Sequence, residues 1–124
     1  MQFEIRTLRS HNRLLFKAWG HPTPEEVFAC ASAVIAALSK LRSGFDVLAD
    51  LSGLASLPDA CMPHIKRLQS SLVANEVGRV VRVCGPLPDV ILKLERQSRA
   101  EGYTAHLATS VAEAEALLAA PAGR

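Results

Sequence analysis

Phe45-Asp46-Val47-Leu48-Ala49-Asp50-Leu51-Ser52-Gly53-Leu54 is the stretch whose reading decides the fold. Phe45 to Leu51 is short and apolar and carries only Asp46 and Asp50, which predicts a buried strand. It runs into Asp50-Leu51-Ser52-Gly53-Leu54, read as the strand end and a turn. A helix then follows, with Met62, Ile65, Leu68 and Leu72 at helical spacing. A proline in a helix interior costs about 3 kcal/mol. The regular helix is therefore expected to start close to Pro63, after a turn at Pro58.

Working outward, Gln2 to Leu8 alternates apolar and polar residues, and Arg13 to Trp19 is a second apolar run. Ser10-His11-Asn12 between them is turn chemistry, so the two form a β-hairpin. Thr23-Pro24-Glu25-Glu26 reads as a helix start: Thr23 caps, Pro24 suits the first helical position and Glu26 completes a capping box. Val27, Ala31, Val34, Ile35, Leu38 and Leu41 share one face of that helix, and Gly44 is placed as its C-terminal cap. Arg79 to Cys84 predicts a central strand, Asp89 to Glu101 a third helix ended by Gly102, and Tyr103 to Ala108 a last strand. Ser110-Val111-Ala112-Glu113 is a second capping box opening a short helix through Ala120, and Pro121 to Arg124 is expected to fray. The order is β-β-α-β-α-β-α-β-α. Alternating strands and helices imply an α/β fold, a mixed sheet of five strands with four packed helices, as one domain over residues 1–124.

This element order, with Asp50-Leu51-Ser52-Gly53-Leu54 at its centre, resembles the STAS domain of the anti-sigma-factor antagonists (SpoIIAA-like). The resemblance spans nearly the whole chain as element order, and at residue level it rests mainly on Asp50 to Leu54. It implies a regulatory, bacterial, protein-binding module. In the family, an Asp-Ser-Ser-Gly turn carries a phosphorylated serine, whose phosphate adds about −2 charge at a helix start and changes partner affinity. Here the matching stretch reads Leu57-Pro58-Asp59-Ala60-Cys61. The serine pair is missing, so the resemblance is to a divergent member without a working phospho-serine switch, in which the Asp59 carboxylate can imitate the charged state. The SpoIIAA-like bacterial proteins that share the fold without the signature are discussed as binders of small apolar or lipid-like ligands, which gives an alternative function. Fold alone does not choose between the two.

Composition narrows the field. With 124 residues, 49% of them apolar and 21% charged, the chain can build one core without staples. A net charge of +2 and six aromatics (four Phe, one Tyr, one Trp) give no base-stacking surface, and no nucleic-acid partner is expected. The N-terminus MQFEIRTLRS lacks an apolar run of signal-peptide length, and no run approaches the roughly 18 residues of a membrane span. A cytoplasmic location is expected, with Cys30, Cys61 and Cys84 as reduced, mostly buried thiols.

No GxSxG elbow, no phosphate-cradling glycine loop and no metal-ligand spacing occurs, so neither enzymatic activity nor a cofactor or metal is expected. Cys61 and His64 supply half a metal site at most. The candidate partner or switch surface is Ser52, Ser56, Asp59 and Met62, where Ser56 or Asp59 can equally be a helix cap and Ser52 a turn residue. Arg82 interrupts an apolar strand and needs a counter-charge, with Asp46 or Asp50 expected to supply it, or else it anchors an acidic ligand group. Trp19 and Arg82 are candidate walls of a ligand pocket. Lys93, Arg96 and Arg99 recur every three residues on the third helix, with Arg79 expected nearby, as a basic face for a partner or simply as the solvated side. Val90, Ile91, Leu92 and Leu94 are more apolar than one buried stripe requires, which points to a homodimer interface or a pocket wall.

Overall fold

The central strand is apolar on both faces because it is covered on both. The computed structural model describes residues 1–120; the tail expected to fray, 121–124, lies outside them. In chain order the elements are β1 (Gln2–Leu8), β2 (Arg13–Gly20), α1 (Pro24–Ala37), β3 (Asp46–Leu54), α2 (Met62–Ala74), β4 (Val80–Cys84), α3 (Pro88–Glu101), β5 (His106–Ala108) and α4 (Val111–Ala119). They form one mixed sheet of order β1-β2-β3-β4-β5, in which β1 and β2 are antiparallel and the other neighbours parallel.

Topology then dictates the layers. Each parallel step needs a crossover helix. Because the strand order always advances in one direction, right-handed crossovers put α1, α2 and α3 on the same face. There α1 packs on α2 and α2 on α3. No such rule binds α4, which follows the last strand and returns over the reverse face. Period-two alternation divides the strands between the two cores. Val47, Ala49, Leu51 and Val80 enter the larger core, and Leu48, Val81 and Val83 meet Ala114 and Leu118 of α4 in the smaller. The reverse side of β1 and β2 carries the exposed Glu4, Arg6 and Lys17, and such charges blunt the β1 edge.

Several local expectations are corrected. The segment expected to turn at Ser52-Gly53 stays in the sheet: β3 continues to Leu54 and pairs Trp19 with Gly53 and Gly20 with Leu54, after a register shift beyond Lys17. Only glycine fits there, since a Cβ on Gly53 would lie 2.6 Å from the Trp19 Cβ. β5 is shorter than Tyr103 to Ala108. α1 ends at Ala37 in a 3-10 turn, so Gly44, at φ +82°, lies in the following loop and not at the helix cap. The α1 capping box is complete: Glu26 N–H donates to Thr23 Oγ1 (3.3 Å) and Thr23 N–H to Glu26 Oε1 (3.0 Å). At α4 only half forms, because the Glu113 carboxylate accepts from Thr109 Oγ1 and not from the Ser110 N–H.

Arg79 does not join the α3 row. Its guanidinium donates to the carbonyls of Leu117 (3.2 Å), Leu118 (2.9 Å) and Ala120 (2.7 Å), and to Asp46 Oδ2 (3.3 Å). The cation thus satisfies orphan carbonyls at the negative end of the α4 dipole and ties that end to the start of β3. Arg79→Ala should release α4: amide exchange speeds up across Val111–Ala119, and the denaturation midpoint falls by about 2 kcal/mol of stability. Unchanged exchange in α4 would remove this role.

Candidate functional site

Asp59 and Lys93, far apart in sequence, meet at 2.9 Å. Lys93 also contacts Asp89 Oδ2 at 3.3 Å and donates to the Leu57 carbonyl at 2.7 Å. The Asp59 hydrogen bond, followed by that of Asp89, raises the Lys93 ammonium above its ordinary value. This contact joins the loop before α2 to the first turns of α3, so two of the candidate regions form one surface. It also corrects two expectations. Neither the 3-10 turn at Asp59–Cys61 nor α2 has a side-chain cap from Ser56 or Asp59, because the Asp59 carboxylate turns to Lys93 and is 91% exposed. Lys93 is half-buried and bonded, which leaves Arg96 and Arg99 as the exposed cations of the row. Leu92 precedes them by four and seven residues, hence on their face of the helix, and it is 50% exposed; Leu87, just before α3, is 37% exposed. The apolar surplus of α3 is thereby divided, since Val90 and Leu94 are buried in the core.

Ser52 is exposed at the end of β3, where its hydroxyl donates to Asp50 Oδ1 at 2.7 Å. Met62 is partly buried against the core. Trp19 does not line the interior: its neighbour Ala18 points to the helices, so alternation turns Trp19 to the reverse face, where the Lys17 ammonium sits 5.2 Å from its ring.

Arg82 occupies a different place. It is 3% exposed on the helix-facing side of β4, and its counter-charge is neither Asp46 nor Asp50. Arg82 pairs in register with Ala49, so the flanking Asp50 side chain projects through the opposite face, and Asp46 is held by Arg79 and Arg13. Glu95 of α3 supplies the carboxylate, and Tyr103 Oη accepts a second bond at 3.2 Å. Gly102, at φ +104°, ends α3 in the left-handed region and reverses the chain so that Tyr103 follows the helix back to the sheet. Arg82, Tyr103 and Gln69 line a cavity of about 80 Å³ whose other walls are almost entirely apolar. The pattern of apolar spacing missed Glu95, Tyr103 and Gln69. Gln69 had a legible signal, a polar residue four after Ile65 and three before Leu72 on the buried stripe.

Among the described residues no group of three or more His, Cys, Asp or Glu is arranged to hold a metal ion. Cys61 is buried, and His64 meets the Phe28 ring edge-on at 5.5 Å. Burial pushes the Cys30 thiol up to about 12 and raises Cys61, Cys84 and the Tyr103 phenol, with Arg82 opposing the last two.

No family model matches the chain, and no curated protein matches it in sequence. Among solved structures it is similar to the unphosphorylated form of the anti-sigma factor antagonist SpoIIAA, with a TM-score of 0.63 over 94% of each chain and 12% identity. The fold is that of SpoIIAA, a STAS fold, and the resemblance in element order holds at that level.

Two measurements test this geometry. Arg82→Met should strand a partly buried Glu95 carboxylate and cost about 3 kcal/mol, while Arg82→Met with Glu95→Leu should recover most of it in urea denaturation. Equal loss in both variants would show that the pair is not coupled. The raised thiols and phenol hold their protons longer folded than unfolded. Their contribution is complete below the ordinary thiol value of 9.0 and is lost as pH rises toward about 12. The urea midpoint should therefore drop between about pH 9 and about pH 12; a flat profile would contradict the burial of these groups.

Proposed function

We propose that this protein is a non-enzymatic regulatory module of the cytoplasm that binds a protein partner, or a second copy of itself, through the surface joined by Asp59 and Lys93. The observation that carries this reading is the 2.9 Å contact between them, which fixes an exposed carboxylate beside α3 and its exposed Leu92. An apolar centre with a charged rim is the ordinary anatomy of a transient interface. Arg96 and Arg99 extend that rim, and Ser52, Ser56 and Met62 border it. The likeness of fold to an anti-sigma factor antagonist supports a protein partner. No helix among the described residues is long and apolar enough to cross a membrane.

In this reading Asp59 supplies permanently, at the start of α2, the negative charge that phosphorylation supplies in switched relatives. The surface is then always in one electrostatic state, and no serine phosphate is needed to set it.

A second reading, favoured by the apolar cavity beneath Arg82, is that the module holds a small apolar ligand. The two readings are compatible, since one site is on the surface and the other inside.

A photo-crosslinking residue in place of Leu92 should give a discrete adduct in cells, at the mass of a partner complex or of two copies of the chain. Asp59→Lys should reduce that adduct about tenfold, whereas Glu4→Gln, on the reverse side of the sheet, should leave it unchanged. No adduct at Leu92, or one indifferent to Asp59→Lys, would overturn the interface.

A further inference from the structure

Gln69 is a polar group of the larger core that its protein neighbours do not fully satisfy. It sits on the buried face of α2, only 3% exposed, and lines the cavity. Its amide has one protein partner: Nε2 donates to the Leu94 carbonyl at 3.4 Å. A carbonyl only accepts, so the orientation of the amide is fixed and Oε1 faces away from Leu94. Among the described residues Oε1 has no hydrogen-bond donor. A buried acceptor left in this condition is costly and requires a donor from elsewhere.

The cavity limits what that donor can be attached to. Its volume of about 80 Å³ exceeds the roughly 10–15 Å³ that holds one water, and it is about half the 150 Å³ of an engineered cavity that admits benzene. The apolar walls favour carbon over a cluster of waters. They suit an occupant smaller than benzene, with a few non-hydrogen atoms. The charge in the wall is already balanced, because the Arg82 guanidinium is paired with Glu95 and bonded to Tyr103. A carboxylate entering there would find the lining Arg82 already paired with Glu95, which favours a neutral occupant. Arg82 thus lines the cavity with its charge already paired.

We infer that the cavity binds a small neutral molecule with an apolar body and one hydroxyl, a short-chain alcohol, whose O–H donates to Gln69 Oε1. The inference rests on the ligand-binding reading above and specifies its chemistry.

The test uses the full chain, with methyl NMR of Val34, Leu68 and Leu94 as the readout. The probes are xenon, sodium butyrate, and the isomers 1-butanol and diethyl ether, which have the same atoms although the alcohol alone carries an O–H. Shifts at these methyls with 1-butanol, about tenfold tighter than with diethyl ether, and none with butyrate, are expected. Gln69→Met should bring the two isomers to equal affinity while leaving xenon bound. Equal binding of the isomers by the native chain, or binding of butyrate, would overturn the hydroxyl assignment but keep the cavity as a ligand site. No shift with xenon or any probe would overturn the ligand reading itself. If Gln69→Met unfolds, the isomer comparison on the native chain still decides.

Discussion

A guanidinium inside the larger core is the constraint around which this structure is arranged. Arg82 sits on β4, covered by α2 and α3, where an unpaired cation would be prohibitive. Its satisfaction needs Glu95 from the middle of α3 and Tyr103 from just beyond its end. Those contacts fix the rotation of α3 about its axis. That rotation sends Val90 and Leu94 into the core and leaves Leu92, Arg96 and Arg99 outside. One buried charge thereby determines which face of α3 is exposed, and it lines the cavity. Buried pairs of this kind add little net stability; here the pair sets geometry.

The reverse face depends on a second arginine. Arg79 does for α4 what a crossover does for the other helices, holding its C-terminal carbonyls against Asp46 at the start of β3. Without it α4 would be joined to the sheet by the small cluster around Leu48, Val81 and Val83 and by the Arg13 bond to the Leu118 carbonyl. The two arginines are three positions apart on adjoining parts of the chain. Alternation sends the side chain of Arg82 to the helix-covered face, and Arg79, at the mouth of β4, reaches the end of α4.

The surface and the interior are physically linked through α3. Lys93 holds the helix to the loop at Asp59, and Glu95, two residues on, holds it to Arg82 beside the cavity. An occupant that pressed on the Arg82 end would act on the same helix that exposes Leu92, Arg96 and Arg99.

By itself the sequence determined the element order, the hairpin, the capping box at Thr23 and the α/β class, because periodicity, capping and turn chemistry are local and act within a few residues. It also marked Arg82 as a charge requiring a partner and Asp59 as a carboxylate where a serine was expected. It misplaced the end of β3, because Ser52-Gly53 reads as a turn until Trp19 is known to lie beside it. It named the wrong partners for Arg82, because which face of a strand a residue occupies relative to its neighbour depends on register. The cap at Asp59, the freedom of Lys93 and the burial of Gln69 were likewise decided only in three dimensions. Each depends on a contact between residues distant in the chain, and only the packing of α2 and α3 on the sheet brings those residues together.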